Sequence, residues 1–83
     1  MSASSRQLIV QVEGAPGRAE RLLRIEPLDA GRVRVHEWSS DAGEHAPRDM
    51  DGAAMLAEIE RLHEERRRLG IEMYEVRRWF AER

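Results

Sequence analysis

The chain has 83 residues, no cysteine, and 16 acidic against 14 basic residues, for a net charge of −2. That length confines it to one small domain, and such a domain buries only about 60% of the surface its unfolded chain exposes. The absence of cysteine excludes disulfides, zinc–thiolate sites and thiol catalysis, and the mixed charge excludes nucleic-acid binding by bulk charge alone.

All the basic residues are arginine, and lysine, asparagine and threonine are missing, a usage that points to a GC-rich genome. No apolar run approaches the roughly 20 residues of a membrane span. A cytoplasmic protein without a membrane partner is therefore expected.

Residues 1–5 are small and polar and are expected to fray as a disordered N-terminus. A β-meander is predicted over residues 6–38. In residues 7–13, Leu8, Val10 and Val12 alternate with Ile9, Gln11 and Glu13, as in a half-buried strand. Gly14, Pro16 and Gly17 punctuate a turn. Residues 20–26 put Leu23 and Ile25 on one face and Leu22 and Arg24 on the other, and Pro27 ends the run. Gly31 closes a short turn where a positive φ is needed. In residues 32–38, Val33, Val35 and Glu37 alternate with Arg32, Arg34, His36 and Trp38.

Three short strands joined by tight turns predict an antiparallel meander. Its inner face would be Leu8, Val10, Val12, Leu23, Ile25, Val33 and Val35. A polar loop with Gly43 and Pro47 is expected over residues 39–48, and then a helix over residues 49–81, with Asp49 or Asp51 as its N-cap. Met55, Ile59, Leu62, Arg66, Leu69, Met73, Val76 and Phe80 recur at spacings of four and three, a heptad seam with one polar member. Gly70 admits two readings. It is either an interior glycine of one long helix or a left-handed cap that ends the helix at Leu69, with a second helix or a fourth strand after it.

The expected fold is thus α+β, a single domain in which a three-stranded meander packs against a long C-terminal helix, either continuous or broken at Gly70. An unbroken helix would be about 48 Å long against about 23 Å for a seven-residue strand, so its distal half would outrun the sheet. Leu69, Met73, Val76, Trp79 and Phe80 would then form an exposed apolar surface, rimmed by Arg66, Arg77 and Arg78. That surface predicts a homodimer through a coiled coil, or another protein partner.

The remaining constellations are less specific. Glu60 and His63 have the Glu-x-x-His spacing of helix-bundle metal sites, but such a site needs ligands from facing helices. His36, Glu37, Asp41, Glu44 and His45 supply donors near the loop without a characteristic ligand spacing. Arg24, Arg32, Arg34, His36 and Trp38 could offer guanidinium and indole planes to splayed bases. No catalytic triad or phosphate-loop motif is present, so neither an enzyme nor a cofactor is expected.

Residues 65–80 carry Gly70, then Ile71, Val76 and Trp79 at the places where a turn glycine and buried apolar residues stand in the helix-turn-helix of bacterial DNA-binding proteins, which the segment resembles. The resemblance implies a recognition helix near residues 73–81, with Arg77 and Arg78 on phosphates or base edges. The sequence therefore predicts a small non-catalytic interaction module, adaptor or regulatory subunit, with a DNA-binding regulator as the alternative.

Overall fold

The computed structural model describes residues 6–82, so the fraying expected of residues 1–5 lies outside the described residues. The fold is α+β. Strands β1 (Leu8–Glu13), β2 (Ala19–Pro27) and β3 (Arg32–Ser39) form the antiparallel meander, with Leu8 opposite Ile25, Val10 opposite Leu23 and Ile25 opposite Val35. The seven residues expected on the inner face are all buried. Alternation fixes this result, because a one-residue slip would turn every one of them to water.

The sheet has more strands than the meander. β4 (Gly43–Glu44) and β5 (Arg48–Asp51) lie end to end along the far side of β3, where Trp38 faces Glu44 and Val33 faces Met50. Much of the segment expected to be a loop is thus an interrupted edge strand. His45 N–H still bonds the Glu37 carbonyl across the interruption at 2.9 Å. Its charged residues and Pro47 are the usual composition of an edge that must not template another chain, and this is why it does not read as a strand.

The single long helix is replaced by two. α1 (Gly52–Glu64) follows β5 directly, and α2 (Met73–Ala81) follows after an eight-residue connection, residues 65–72. Asp51 occupies the N-cap of α1 but makes no side-chain capping bond, and Asp49 lies within β5. The left-handed residue that ends α1 is Arg66, four residues before Gly70. Arg66 has φ +66, its N–H bonds the His63 carbonyl, and the Arg67 N–H bonds the Leu62 carbonyl at 3.1 Å. This is a Schellman motif with arginine in the left-handed position.

The polar member of the seam is therefore where the helix stops. The heptad phase survives the break because α1 buries Met55, Ile59 and Leu62, and α2 buries Met73 and Val76, in the same core. Between them the connection closes the open edge of β1. Gln11 N–H bonds the Leu69 carbonyl at 3.1 Å and Glu13 N–H bonds the Arg68 carbonyl at 2.8 Å. Gly70 has φ +68, and an added Cβ would stand 3.4 Å from the Gln11 carbonyl oxygen and Cβ.

A non-glycine residue in the left-handed region costs about 1–2 kcal/mol, partly offset in glycine by its own loss of backbone freedom. Arg66→Gly is accordingly expected to stabilise the chain by about 0.5–1 kcal/mol and to raise Tm by roughly 3–6 °C. Thermal denaturation followed by circular dichroism tests this, and a lower Tm would show that the Arg66 side chain compensates its own strain.

Candidate functional site

Helices α1 and α2 form a hairpin, so the start of one lies beside the end of the other. At that open end Leu56 and Phe80 face a groove of about 310 Å³ whose other walls are Gly31, Gly52, Ala53 and Ala81, with Arg77 at the rim. Four of these residues have little or no side chain, which is why the space is unfilled. Leu56 and Phe80 are partly buried and pack against the core. The Phe80 ring meets Trp79 edge to face at 4.9 Å, and the Trp79 indole N–H donates to the Arg6 carbonyl at 3.3 Å. Arg77 donates from Nε to Glu60 at 2.9 Å, tying the two helices together.

The expected apolar interface is divided by this arrangement. Leu69, Met73 and Val76 are buried within the chain's own core at 5%, 7% and 0% exposure, so they are not the surface foreseen for a coiled-coil partner. The shorter α2 folds back onto the sheet instead of running past it, and the chain itself covers them. Arg66 sits in the connection at the other end of the hairpin, away from Arg77 and Phe80. Arg78 is exposed, 3.9 Å from Glu82. The groove keeps Phe80 and Arg77 from the expected set and adds Leu56, Ala53 and Gly52. Leu56 stands next to the seam residue Met55, and an apolar residue off the seam was the available signal.

A second cluster ends the core. Glu37 follows Val33 and Val35 on the inner face, and its side chain is 10% exposed. It accepts hydrogen bonds from Arg21 Nε at 2.8 Å and Arg48 Nη1 at 3.0 Å, and Arg21 also reaches Glu58 on α1 at 3.6 Å. Burial pushes the Glu37 carboxyl up, but the hydrogen bonds and charges of Arg21 and Arg48 together outweigh it and hold the group below the usual carboxylate range. Burial likewise works against the charge on Arg21, and its bonds to Glu37 and Glu58 raise its pKa on balance. Nearby, the Ser39 hydroxyl and His45 Nε2 lie 2.9 Å apart, clipping the ends of the turn between β3 and β4.

Neither α1 nor α2 covers the outer face of the sheet. Leu22 and Trp38 are directly opposed across β2 and β3, and Ile9 lies diagonally from Leu22 on β1. Ile9 is 52% and Leu22 37% exposed. Glu44 stands exposed opposite Trp38, and along the rest of this face the charges are paired. Glu26 takes Arg24 at 3.5 Å and His36 at 3.0 Å, Arg32 lies 3.8 Å from Asp51, and Arg34 grips Asp49 through two bonds of 2.8 and 3.0 Å. The Arg34 hydrogen bonds hold the Asp49 carboxyl below its ordinary range, and the same bonds raise Arg34. A stacking platform for bases would present these guanidinium groups to phosphate, yet each is engaged by a carboxylate of its own chain.

The other motifs are separated by the fold. Alternation along β3 sends His36 to the outer face, whereas Glu37, Asp41 and His45 line one recess of about 360 Å³ together with Glu20, Arg21 and Ser39. Glu60 of the Glu-x-x-His pair is bound to Arg77, and among the described residues no group of three or more potential ligands is placed to hold a metal. The helix-turn-helix motif joins its helices by a turn of about three to four residues. Here residues 65–72 separate them and hydrogen-bond to β1. No described helix is long and apolar enough to cross a membrane. Compared with protein-family models, with curated proteins and with solved structures, the chain matches none.

Proposed function

We propose that the chain is a small non-catalytic interaction module that binds another protein through the groove between the start of α1 and the end of α2. The observation that supports this reading is the Leu56–Phe80 groove itself, an apolar recess with an arginine at its rim. Its dimensions suit one or two apolar side chains of a partner, and a carboxylate beside them would meet the terminal nitrogens of Arg77. Anchoring by a few apolar side chains within a polar rim is how small interfaces concentrate their energy.

The test is selection of displayed 12-residue peptides against the chain, followed by fluorescence polarisation with the peptides recovered. Recovered peptides are expected to share an apolar anchor next to an acidic residue, and Leu56→Glu is expected to weaken them at least about tenfold, as loss of a central anchor does. Failure to enrich any peptide, or peptides that bind Leu56→Glu as well as the parent chain, would remove the groove from consideration.

A further inference from the structure

We infer that the turn at Arg66 is a hinge through which two copies of this chain exchange α2, so that the second helix of each fills the core of the other. The inference stands on the fold and does not depend on the groove reading.

Three observations carry it. First, the turn is made by residues that do not favour one. Between Leu62 and Leu69 stand His63, Glu64, Glu65, Arg66, Arg67 and Arg68, without a glycine, proline, asparagine or aspartate. Glutamate and arginine are good helix formers, yet Arg66 is held at φ +66. Local preference is thus for a continuing helix, and the docking of the residues beyond the turn holds it left-handed. A torsion kept against local preference marks a place where a second conformation lies close in energy.

Second, opening the turn costs none of its backbone hydrogen bonds. In the closed turn the Arg66 and Arg67 N–H groups bond the His63 and Leu62 carbonyls respectively. With Arg66 in the right-handed region the same two donors reach the Leu62 and His63 carbonyls instead, as in an α-helix. The Arg68 and Leu69 carbonyls, which close the β1 edge at Glu13 and Gln11, travel with α2 and can make the same bonds to the other copy.

Third, the surface that opening uncovers has a defined complement. Met73 and Val76, 7% and 0% exposed, leave behind the core residues Ile59 and Leu62 of α1. The α2 of a second copy fits that space because it is the same segment, and about a twofold axis each copy repairs the other. The exchanged dimer re-forms both grooves, each with Leu56 from one copy and Arg77 and Phe80 from the other. Closed and exchanged forms share these contacts, so concentration and the two turns decide between them. The eight-residue connection presents α2 to its own core at an effective concentration on the order of 1 mM, and relief of two left-handed torsions favours the dimer below that.

The test is to warm the full chain at about 1 mM to just below its Tm, cool it, and fractionate it by size exclusion with light scattering. A dimer is expected that persists on dilution in the cold, since dissociation requires α2 to leave the core, and that reverts to monomer on warming. Arg66→Gly eases the closed turn and weakens the helix, and is expected to lower the association constant at least about tenfold. Arg66→Ala keeps the left-handed penalty and removes the charge, and is expected to leave the constant within about threefold. In a dimer assembled from isotope-labelled and unlabelled chains, filtered NOE spectroscopy should connect the methyl groups of Met73 and Val76 in one copy to Ile59 and Leu62 in the other. A chain that stays monomeric through this treatment overturns the inference, as does a dimer without those contacts between copies. Arg66→Gly dimerising as readily as the parent chain, or loss of the dimer in Arg66→Ala, would equally remove the hinge.

Discussion

A chain ending at Leu69 is expected to lose its cooperative thermal transition. In one long helix, residues beyond Leu69 would project past the sheet and their removal would leave a folded core. In the observed hairpin, α2 returns Met73 and Val76 to the core at 7% and 0% exposure, with Ile71, Trp79 and Phe80 packed against it. Burying side chains of this size stabilises by about 1.5–3 kcal/mol each, so Met73 and Val76 together contribute roughly 3–6 kcal/mol. A domain of this length has a total stability of about 4–12 kcal/mol. Removing α2 also uncovers the flank of α1 that carries Ile59 and Leu62. Near-ultraviolet circular dichroism and amide shift dispersion of the truncated chain test this. A sharp transition with dispersed shifts would show that the sheet and α1 suffice and that α2 is an accessory.

Glu37→Ala is expected to cost about 2 kcal/mol and to lower Tm by roughly 8–16 °C, more than removal of any other single ion-pair member of this chain. Glu37 is the common acceptor for Arg21 and Arg48, and only 10% of its side chain is exposed. Taking it away leaves two guanidinium groups facing one another at the end of an apolar core. The full penalty of an orphaned buried pair, about 3–5 kcal/mol, is reduced because Arg48 is 40% exposed and water can solvate it.

The pH dependence provides an independent check. The folded-state pKa of Glu37 is depressed, so its stabilisation is fully present above the unfolded value of about 4.3 and is lost as pH falls through the folded value. Urea denaturation at pH 7 and pH 3 should therefore show the difference between the parent chain and Glu37→Ala shrinking at the lower pH. A difference that is constant with pH would assign the loss to packing rather than charge. Asp49 is depressed in the same direction by Arg34, so some acid sensitivity should persist in the variant.

These two predictions sit at the points where periodicity and packing part company. Local alternation determined the meander, its seven inner residues and the turn with Gly31 at φ +73, because strand period and glycine torsion act within a few residues. It also determined that Met55, Ile59, Leu62, Leu69, Met73 and Val76 share one buried face. It did not determine how many helices carry that face. Heptad spacing is satisfied equally by one long helix against another chain and by two helices folded onto one sheet, and only the left-handed turn at Arg66 separates the two.

The edge strand β4–β5 was hidden for a different reason. A short charged strand is held by the backbone of β3 rather than by an apolar pattern of its own. The groove was hidden too, since Gly31, Gly52, Leu56 and Phe80 are distant along the chain and meet only when the hairpin closes. The sequence by itself thus determined which residues leave water. Tertiary structure alone decided what they pack against, because burial is a property of each side chain's periodic position, whereas the partner that covers it depends on where the chain turns back.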